Sequence, residues 1–155
     1  MTALNLNHLT AVLSNEEVTS LRSGYDRSVM NALVERSISG IHPPAAPWMG
    51  FIMSELYGPD AALDPRDREI LVIGLLAGRR EFGTLAVHLY WGLMEGLSPA
   101  ELAQVLTISG TYTGVSNFVQ GTRVAHRTLG LLKEHAVTDT SVPAVLARLV
   151  QLFPA

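Results

Sequence analysis

The chain has 155 residues, the size of one ordinary domain, and a net charge of −3 at neutral pH. Only 16% of its residues are charged and no basic run occurs, which excludes the electrostatic surface of a nucleic-acid-binding protein. Cysteine is absent, which excludes disulfides, thiolate metal sites and thiol redox chemistry. Hydrophobic residues make up 48% of the chain and mean hydropathy is +0.25, so we expect apolar surface to be buried between subunits.

The N-terminus lacks the basic and apolar segments of a signal peptide. The longest apolar run, Ile70–Gly78, is far too short to span a bilayer. We therefore expect a cytoplasmic protein with no membrane partner.

Apolar residues recur at helical spacing from the start of the chain, and no segment alternates convincingly as a strand. A capping box at Ser14 and Glu17 predicts where the first helix begins. The residues on its apolar face are Val18, Leu21, Tyr25, Val29 and Leu33. Pro43 and Pro44, which follow Ser39–His42, end this single long helix.

A buried helix is predicted to start at Asp64 and Pro65, an N-cap acid followed by proline at the first helical position. It runs to about Gly78 and is apolar on all sides after Glu69, which is typical of a core helix. Gly74, one turn before Gly78, should let a second helix approach closely.

The remaining elements are also predicted to be helices. They cover 48–57, 81–95, 98–109 with a capping box at Ser98 and Glu101, 115–134, and 142–152. Gly110 and Gly114 are expected to bracket a turn or a break. The prediction is one all-α domain over 1–155.

Two ionisable residues lie in apolar stretches of neighbouring helices. Glu69 opens the run 70–77, and His88 lies within the run 85–91. A carboxylate and an imidazole held together away from water can move protons near neutral pH. These two residues are the candidate catalytic pair.

Several residues could contact a substrate near His88. Glu81, Thr84, His88 and Trp91 follow steps of three and four along one helix face, together with Leu85, Gly92 and Glu95. In this interpretation Thr84 and Glu81 contact polar substrate atoms, while Trp91 and Tyr112 form an apolar wall.

Each of these residues also has a purely structural interpretation. His88 could be a core histidine bonded to a backbone carbonyl, and Glu69 a first-turn acid paired with Arg66 or Arg68. Trp91 and Tyr112 could be core or interface aromatics. Similarly, Glu81 could be an early-helix acid beside Arg79 and Arg80, and Thr84 a hydrogen-bonded hydroxyl.

Other chemistries lack their motifs. His88 has no second histidine at ligand spacing on its helix, so we predict no metal site. The sequence contains neither the Gly-x-Ser-x-Gly turn of a serine hydrolase nor a glycine-rich phosphate loop. We expect no cofactor.

Four segments together resemble the carboxymuconolactone decarboxylase and alkylhydroperoxidase superfamily over roughly residues 45–130. These segments are Leu63–Ile70, Leu85–Leu89, Glu95–Leu102 and Tyr112–Val115. The resemblance implies an all-α family-like core over 45–134, between an N-terminal helical extension over 1–44 and a C-terminal helix over 141–152. It also implies a ring-shaped homo-oligomer, a trimer or hexamer, with sites at or near subunit contacts.

The resemblance also bears on chemistry, position by position. The two cysteines of the peroxidase branch correspond to Glu81 and Thr84, so the thiol-peroxidase cycle is excluded. The proton-relay glutamate of that branch corresponds to Glu69, and its histidine to His88. The decarboxylase branch commonly has a glutamate where this chain has Thr84.

Three functions are compatible with these features. The first is a cofactor-free acid/base enzyme of the carboxymuconolactone decarboxylase type, acting on a small organic acid, lactone or polyketide-like substrate by decarboxylation, isomerisation, dehydration or cyclisation. The second is a non-catalytic oligomeric protein that binds a small molecule on the same scaffold. The third, a thiol-free partner of a peroxidase, has the least support.

Overall fold

Eight α-helices and one short 3₁₀ turn make up residues 9–152, the part of the chain that the computed structural model describes. The helices are α1 (Asn15–Ser23), α2 (Arg27–Ile41), α3 (Ala46–Glu55), α4 (Pro65–Arg79), α5 (Phe82–Met94), α6 (Pro99–Thr113), α7 (Val115–Ala136) and α8 (Val142–Leu152), with the 3₁₀ turn at Pro43–Ala45. No strand occurs within these residues, which confirms the all-α prediction. Among these helices, none has both the length and the apolar character needed to cross a bilayer.

The starts of several helices follow their local capping signals. Ser14 begins α1 and Ser98 begins α6, and in each capping box the serine hydroxyl and the glutamate three residues later bond reciprocally to backbone N–H groups. Asp64 caps α4 by accepting a hydrogen bond from the N–H of Arg66. These starts were predicted and are confirmed, as are the bounds of α8.

The single N-terminal helix predicted after Ser14 is wrong, because the chain breaks between α1 and α2. Asp26 starts α2 by accepting hydrogen bonds from the N–H groups of Ser28 and Val29. The two helices pack on different neighbours, α1 on α5 and α7, and α2 on α3 and α8. The helical spacing of apolar residues therefore continues across a corner.

Helix α5 lies at the centre of the fold and packs against α1, α4, α7 and α8. Most of its second half is buried. Its C-terminal end is held by Arg22 of α1, whose guanidinium donates to the carbonyl oxygens of Leu93 at 2.8 Å and Leu97 at 3.0 Å. This central helix carries His88.

Helix α4 is a core helix on one side only, which corrects the prediction that it is buried on all sides. Ile73 and Ala77 are buried, whereas Leu71 and Leu75 are 60% and 62% exposed. The exposed leucines lie one turn apart and form an apolar stripe on the molecular surface. A helix with apolar residues on every side can therefore leave one side uncovered within its own chain.

Two glycines of α4 allow α6 to cross closely, as predicted. The Ser109 hydroxyl donates to the carbonyl oxygen of Gly74 at 2.8 Å. A Cβ atom on Gly78 would lie 3.0 Å from the side chain of Thr113. A side chain at position 78 would therefore crowd Thr113, whereas a Cβ atom on Gly74 would lie at an ordinary contact distance of 3.8 Å from Val105.

The predicted turn between Gly110 and Gly114 begins later than expected. Helix α6 continues through Gly110 and ends at Thr113, and the break is at Gly114, where φ is +108°. Gly110 instead provides space for α7, because a Cβ atom there would lie only 2.4 Å from the Cβ of Phe118.

Candidate functional site

Glu69 and His88 form a hydrogen bond between two packed helices. Glu69 lies in the second turn of α4 and is fully buried, and His88 lies in the middle of α5. The distance from Glu69 Oε2 to His88 Nδ1 is 2.8 Å. Close packing of α4 at Gly92 supports this contact, since a Cβ atom there would lie 3.0 Å from Ile73 Cδ1.

The two nitrogens of the His88 ring have different surroundings. Nδ1 faces the carboxylate, and an ionised carboxylate only accepts hydrogen bonds, so the proton of this bond belongs to Nδ1. Nε2 makes no hydrogen bond within residues 9–152 and is not fully enclosed, and the side chain is 12% exposed. His88 therefore does not bond a backbone carbonyl, and its Nε2 lone pair is available.

Arg68 is the second partner of the buried carboxylate. Its Nε lies 3.4 Å from Glu69 Oε1, and its Nη1 donates to the carbonyl oxygen of Leu56 at 2.8 Å. Arg66, the other partner considered for Glu69, pairs instead with Glu101. Glu69 thus contacts Arg68, as its structural interpretation predicted, and also His88, as its catalytic interpretation predicted.

Two aromatic rings, those of Tyr57 and Trp91, also connect Arg68 to His88. The Trp91 indole stacks on the His88 ring with centroids 5.4 Å apart, and on the Tyr57 ring with centroids 4.6 Å apart. The Arg68 guanidinium covers the Tyr57 ring at 4.1 Å from its centroid. These contacts and Glu69 close a ring of five side chains, which we name the site ring: Tyr57, Arg68, Glu69, His88 and Trp91.

Tyr57 contributes a neutral hydroxyl to the site ring. Burial raises the pKa of this phenol well above its usual value, and the negative charge of Glu69 raises the pKa further. The hydroxyl therefore stays protonated at neutral pH. It lies within hydrogen-bonding reach of the Arg68 guanidinium.

Thr84 and Glu81 lie near the start of α5 and are exposed. Thr84 is one turn before His88, on the same face of the helix. Neither side chain forms a hydrogen bond with another described residue. The structural interpretation of Thr84 as a hydrogen-bonded hydroxyl is therefore wrong. Both remain free to contact a ligand.

Trp91 and Tyr112 occupy opposite environments. Trp91 is 1% exposed and belongs to the core as well as to the site ring, while Tyr112 is 87% exposed near the end of α6. Within one chain Tyr112 lines a surface pocket of about 510 Å³ between α4 and α6. Neither His88 nor Glu69 lines this pocket, so the structure does not bring Tyr112 to the pair.

A second surface pocket, of about 430 Å³, lies beside α7 and also excludes the site ring. Its lining residues are Phe82, Gln120, Arg123, Val124, His126 and Arg127.

Over residues 9–152, no three histidine, aspartate or glutamate side chains come together as a metal site would require.

The candidate site residues chosen from the sequence omitted Arg68 and Tyr57. A signal for Arg68 was present, because it directly precedes a glutamate that opens an apolar run, and a buried carboxylate requires a partner. Tyr57 lies in the loop after α3 and reaches the site only through the fold, which residue order along the chain does not show.

Comparison with known families agrees with the resemblance found in the sequence. The model of the carboxymuconolactone decarboxylase family matches residues 45–127, more than half of the chain, from the end of the 3₁₀ turn into α7. No curated protein and no solved structure gives a match. The matched residues contain the whole site ring. The chain is a cysteine-free member of the carboxymuconolactone decarboxylase family.

Proposed function

We propose that this protein is a cofactor-independent acid/base enzyme of the carboxymuconolactone decarboxylase type, acting on a small organic acid, lactone or polyketide-like substrate. The observation that carries the proposal is the hydrogen bond of 2.8 Å between the buried Glu69 carboxylate and His88 Nδ1. It leaves Nε2 as the one ring nitrogen able to exchange a proton with a substrate.

In this mechanism His88 Nε2 removes a proton from an acidic C–H group of the substrate, or returns one to an enolate. Glu69 holds the ring in the tautomer with the proton on Nδ1 and offsets the positive charge that develops on the imidazole. Trp91, stacked on the ring at 5.4 Å, restricts its rotation. Decarboxylation, isomerisation, dehydration and cyclisation all use such a proton transfer.

Thr84 and Glu81 would contact polar substrate atoms, since both are exposed near His88 and free of other partners. We propose that the protein forms a ring-shaped homo-oligomer, a trimer or hexamer, in the cytoplasm. In such an assembly the exposed Tyr112 can form part of an apolar wall at a subunit contact, which it cannot do beside His88 of its own chain.

Proton transfer can be measured before the final product is known. Candidate β-keto acids and lactone acids would be incubated with the protein in D₂O, and deuterium incorporation next to the carbonyl followed by NMR. We expect His88→Gln to lower the rate by about 10²–10⁴-fold, the usual contribution of a positioned acid or base. Glu69→Gln should lower it less, because the imidazole remains.

His126→Gln is the matched control, because His126 is an exposed histidine on α7 outside the site ring. Circular dichroism would verify that each variant is folded. A folded His88→Gln protein with the full exchange rate would disprove the proposal.

One observation favours the second function, a binding protein without catalysis. The pocket of about 510 Å³ between α4 and α6 is mainly apolar and contains neither member of the catalytic pair. A ligand that stabilises the protein in a thermal-shift assay, with no product by mass spectrometry and no deuterium exchange, would support this function instead.

A further inference from the structure

Arg68 is a buried arginine that uses only part of its hydrogen-bonding capacity. Its side chain is 7% exposed. A guanidinium has five N–H donors, and here Nε faces Glu69 while Nη1 donates to the carbonyl oxygen of Leu56. No backbone carbonyl or carboxylate within residues 9–152 accepts a hydrogen bond from Nη2, and the guanidinium also lies within hydrogen-bonding reach of the Tyr57 hydroxyl. The guanidinium therefore has N–H donors beyond those that face Glu69 and Leu56.

Arg68 and His88 are partners of the same carboxylate. A single carboxylate, that of Glu69, contacts Arg68 through Oε1 and His88 through Oε2. The two side chains are thus within the length of a small organic molecule. The Tyr57 ring covers one face of the guanidinium at 4.1 Å and fixes its plane.

The hydrogen-bond donors of the site ring suit an anionic ligand. Arg68 and Glu69 cancel each other, so with a neutral imidazole the site ring has no net charge. A substrate carboxylate adds one negative charge, and proton transfer leaves this total unchanged, because the imidazolium formed at His88 is matched by the enolate formed on the substrate. Planar guanidinium groups bind carboxylates through two parallel hydrogen bonds, and the Tyr57 hydroxyl is a further neutral donor beside Arg68.

We propose that Arg68, assisted by the Tyr57 hydroxyl, binds a carboxylate of the substrate and directs the neighbouring C–H group to His88 Nε2. This inference rests on the proposed function and narrows its substrate class. The substrate is an organic anion whose carboxylate lies a few bonds from the carbon that exchanges a proton, and neutral lactones are excluded.

Binding can be followed through Trp91 alone. The chain has two tryptophans, and Trp48 is 62% exposed, so Trp48→Phe leaves Trp91 in the site ring as the only indole reporter. Benzoate and acetoacetate would be titrated against benzamide and acetoacetamide, which have similar shape without the charge. We expect each carboxylate to bind about tenfold or more tightly than its amide, the range of a charge-assisted hydrogen bond.

Substitutions then assign the preference to Arg68. In the Trp48→Phe background, Arg68→Gln should reduce the carboxylate preference to within about twofold, and Arg68→Lys should keep part of it. Arg148→Gln, at an exposed arginine of α8, is the matched control and should keep all of it. A purely structural role for Arg68 would change binding of acid and amide alike.

The inference is overturned if carboxylates and amides bind equally, if no carboxylate binds in the tens of millimolar, or if a folded Arg68→Gln protein keeps the preference. If both Arg68 variants fail to fold, the acid–amide comparison in the Trp48→Phe protein still tests whether the site prefers carboxylates. Proton exchange in the His88→Gln protein tests the proposed function separately from carboxylate binding. Carboxylate preference in a protein whose His88 variant still exchanges protons would support the binding site and disprove the catalytic role.

Discussion

At the scale of single residues, buried charges in this protein are shared among several side chains. Removing a carboxylate from water is costly unless partners compensate for the lost hydration. Glu69 has two such partners in the site ring. Glu95, 3% exposed, also has two, because it accepts hydrogen bonds from the Tyr25 hydroxyl at 2.7 Å and from Arg27. The Glu95 cluster fastens the corner between α1 and α2 to the end of α5.

Because of the Tyr25 hydroxyl, the folding stability changes with pH in the alkaline range. Burial raises the pKa of Tyr25 well above its usual value, and the hydrogen bond to Glu95 raises it further. The unfolded chain releases this proton at about pH 10 while the folded chain keeps it, so folding stability is complete below pH 10 and declines above it. Burial raises the pKa of Tyr57 and Tyr90 in the same direction.

We therefore expect the free energy of unfolding, measured by urea denaturation, to fall as the pH rises above about 10. Tyr25→Phe should cost about 1.5–3 kcal/mol at pH 7, the value of a hydrogen bond to a charged group. Its stability should also decline less steeply above pH 10 than that of the unchanged protein. Parallel pH profiles for the two proteins would contradict this explanation.

At the scale of helices, close approach is controlled by glycines whose roles differ. Gly110 lies inside α6 and faces α7, where an added Cβ atom would also lie 3.0 Å from the Cα of Phe118. Backbone atoms cannot move away as a flexible side chain can. Gly130 lies inside α7, and a Cβ atom there would meet nothing within 4 Å. The sequence alone does not distinguish these two helical glycines.

The two glycines form a matched pair for mutation. Gly110→Ala should destabilise the protein by about 1–3 kcal/mol, the usual cost of overpacking. Gly130→Ala should stabilise it by about 0.5–1 kcal/mol, because alanine loses less backbone entropy in a helix. Thermal unfolding followed by circular dichroism measures both. Equal effects at the two positions would refute the close packing of α6 on α7.

At the scale of the whole molecule, one group of exposed apolar side chains lies on the surface between α4 and α6. The exposed members are Leu71, Leu75, Ile108 and Tyr112, and the pocket of about 510 Å³ runs among them. Contiguous apolar surface of this kind marks an interaction site. A homo-oligomer, which the family resemblance implies, would bury it.

We expect light scattering coupled to size-exclusion chromatography to give a mass that is a multiple of the 16.8 kDa chain. Replacing both Leu71 and Leu75 by glutamine should shift the protein to a smaller assembly, because the apolar contact is lost. Val150→Gln, at an exposed valine of α8, is the control and should not change the mass. A mass of 16.8 kDa for the unchanged protein would contradict an oligomer.

Much of the helical architecture could be predicted because its signals are local. The capping residues Ser14, Asp64 and Ser98 act within one helical turn, and each helix that they predict begins where expected. The corner at Asp26 was missed although aspartate is also a good N-cap, because the apolar spacing continued across it. Local signals can therefore disagree, and the tertiary contacts of α1 and α2 decide between them.

By itself, the sequence determined most of the helices, the family and the placing of Glu69 and His88 on neighbouring apolar helices, since these depend on residue order and helical periodicity. Only the tertiary structure decided that the two side chains bond, that Arg68 and Tyr57 join them, and that Tyr112 points away. The physical reason is that these contacts depend on the distance and rotation between packed helices. Side-chain volumes at positions such as Gly92 set both quantities, and periodicity along one helix contains neither.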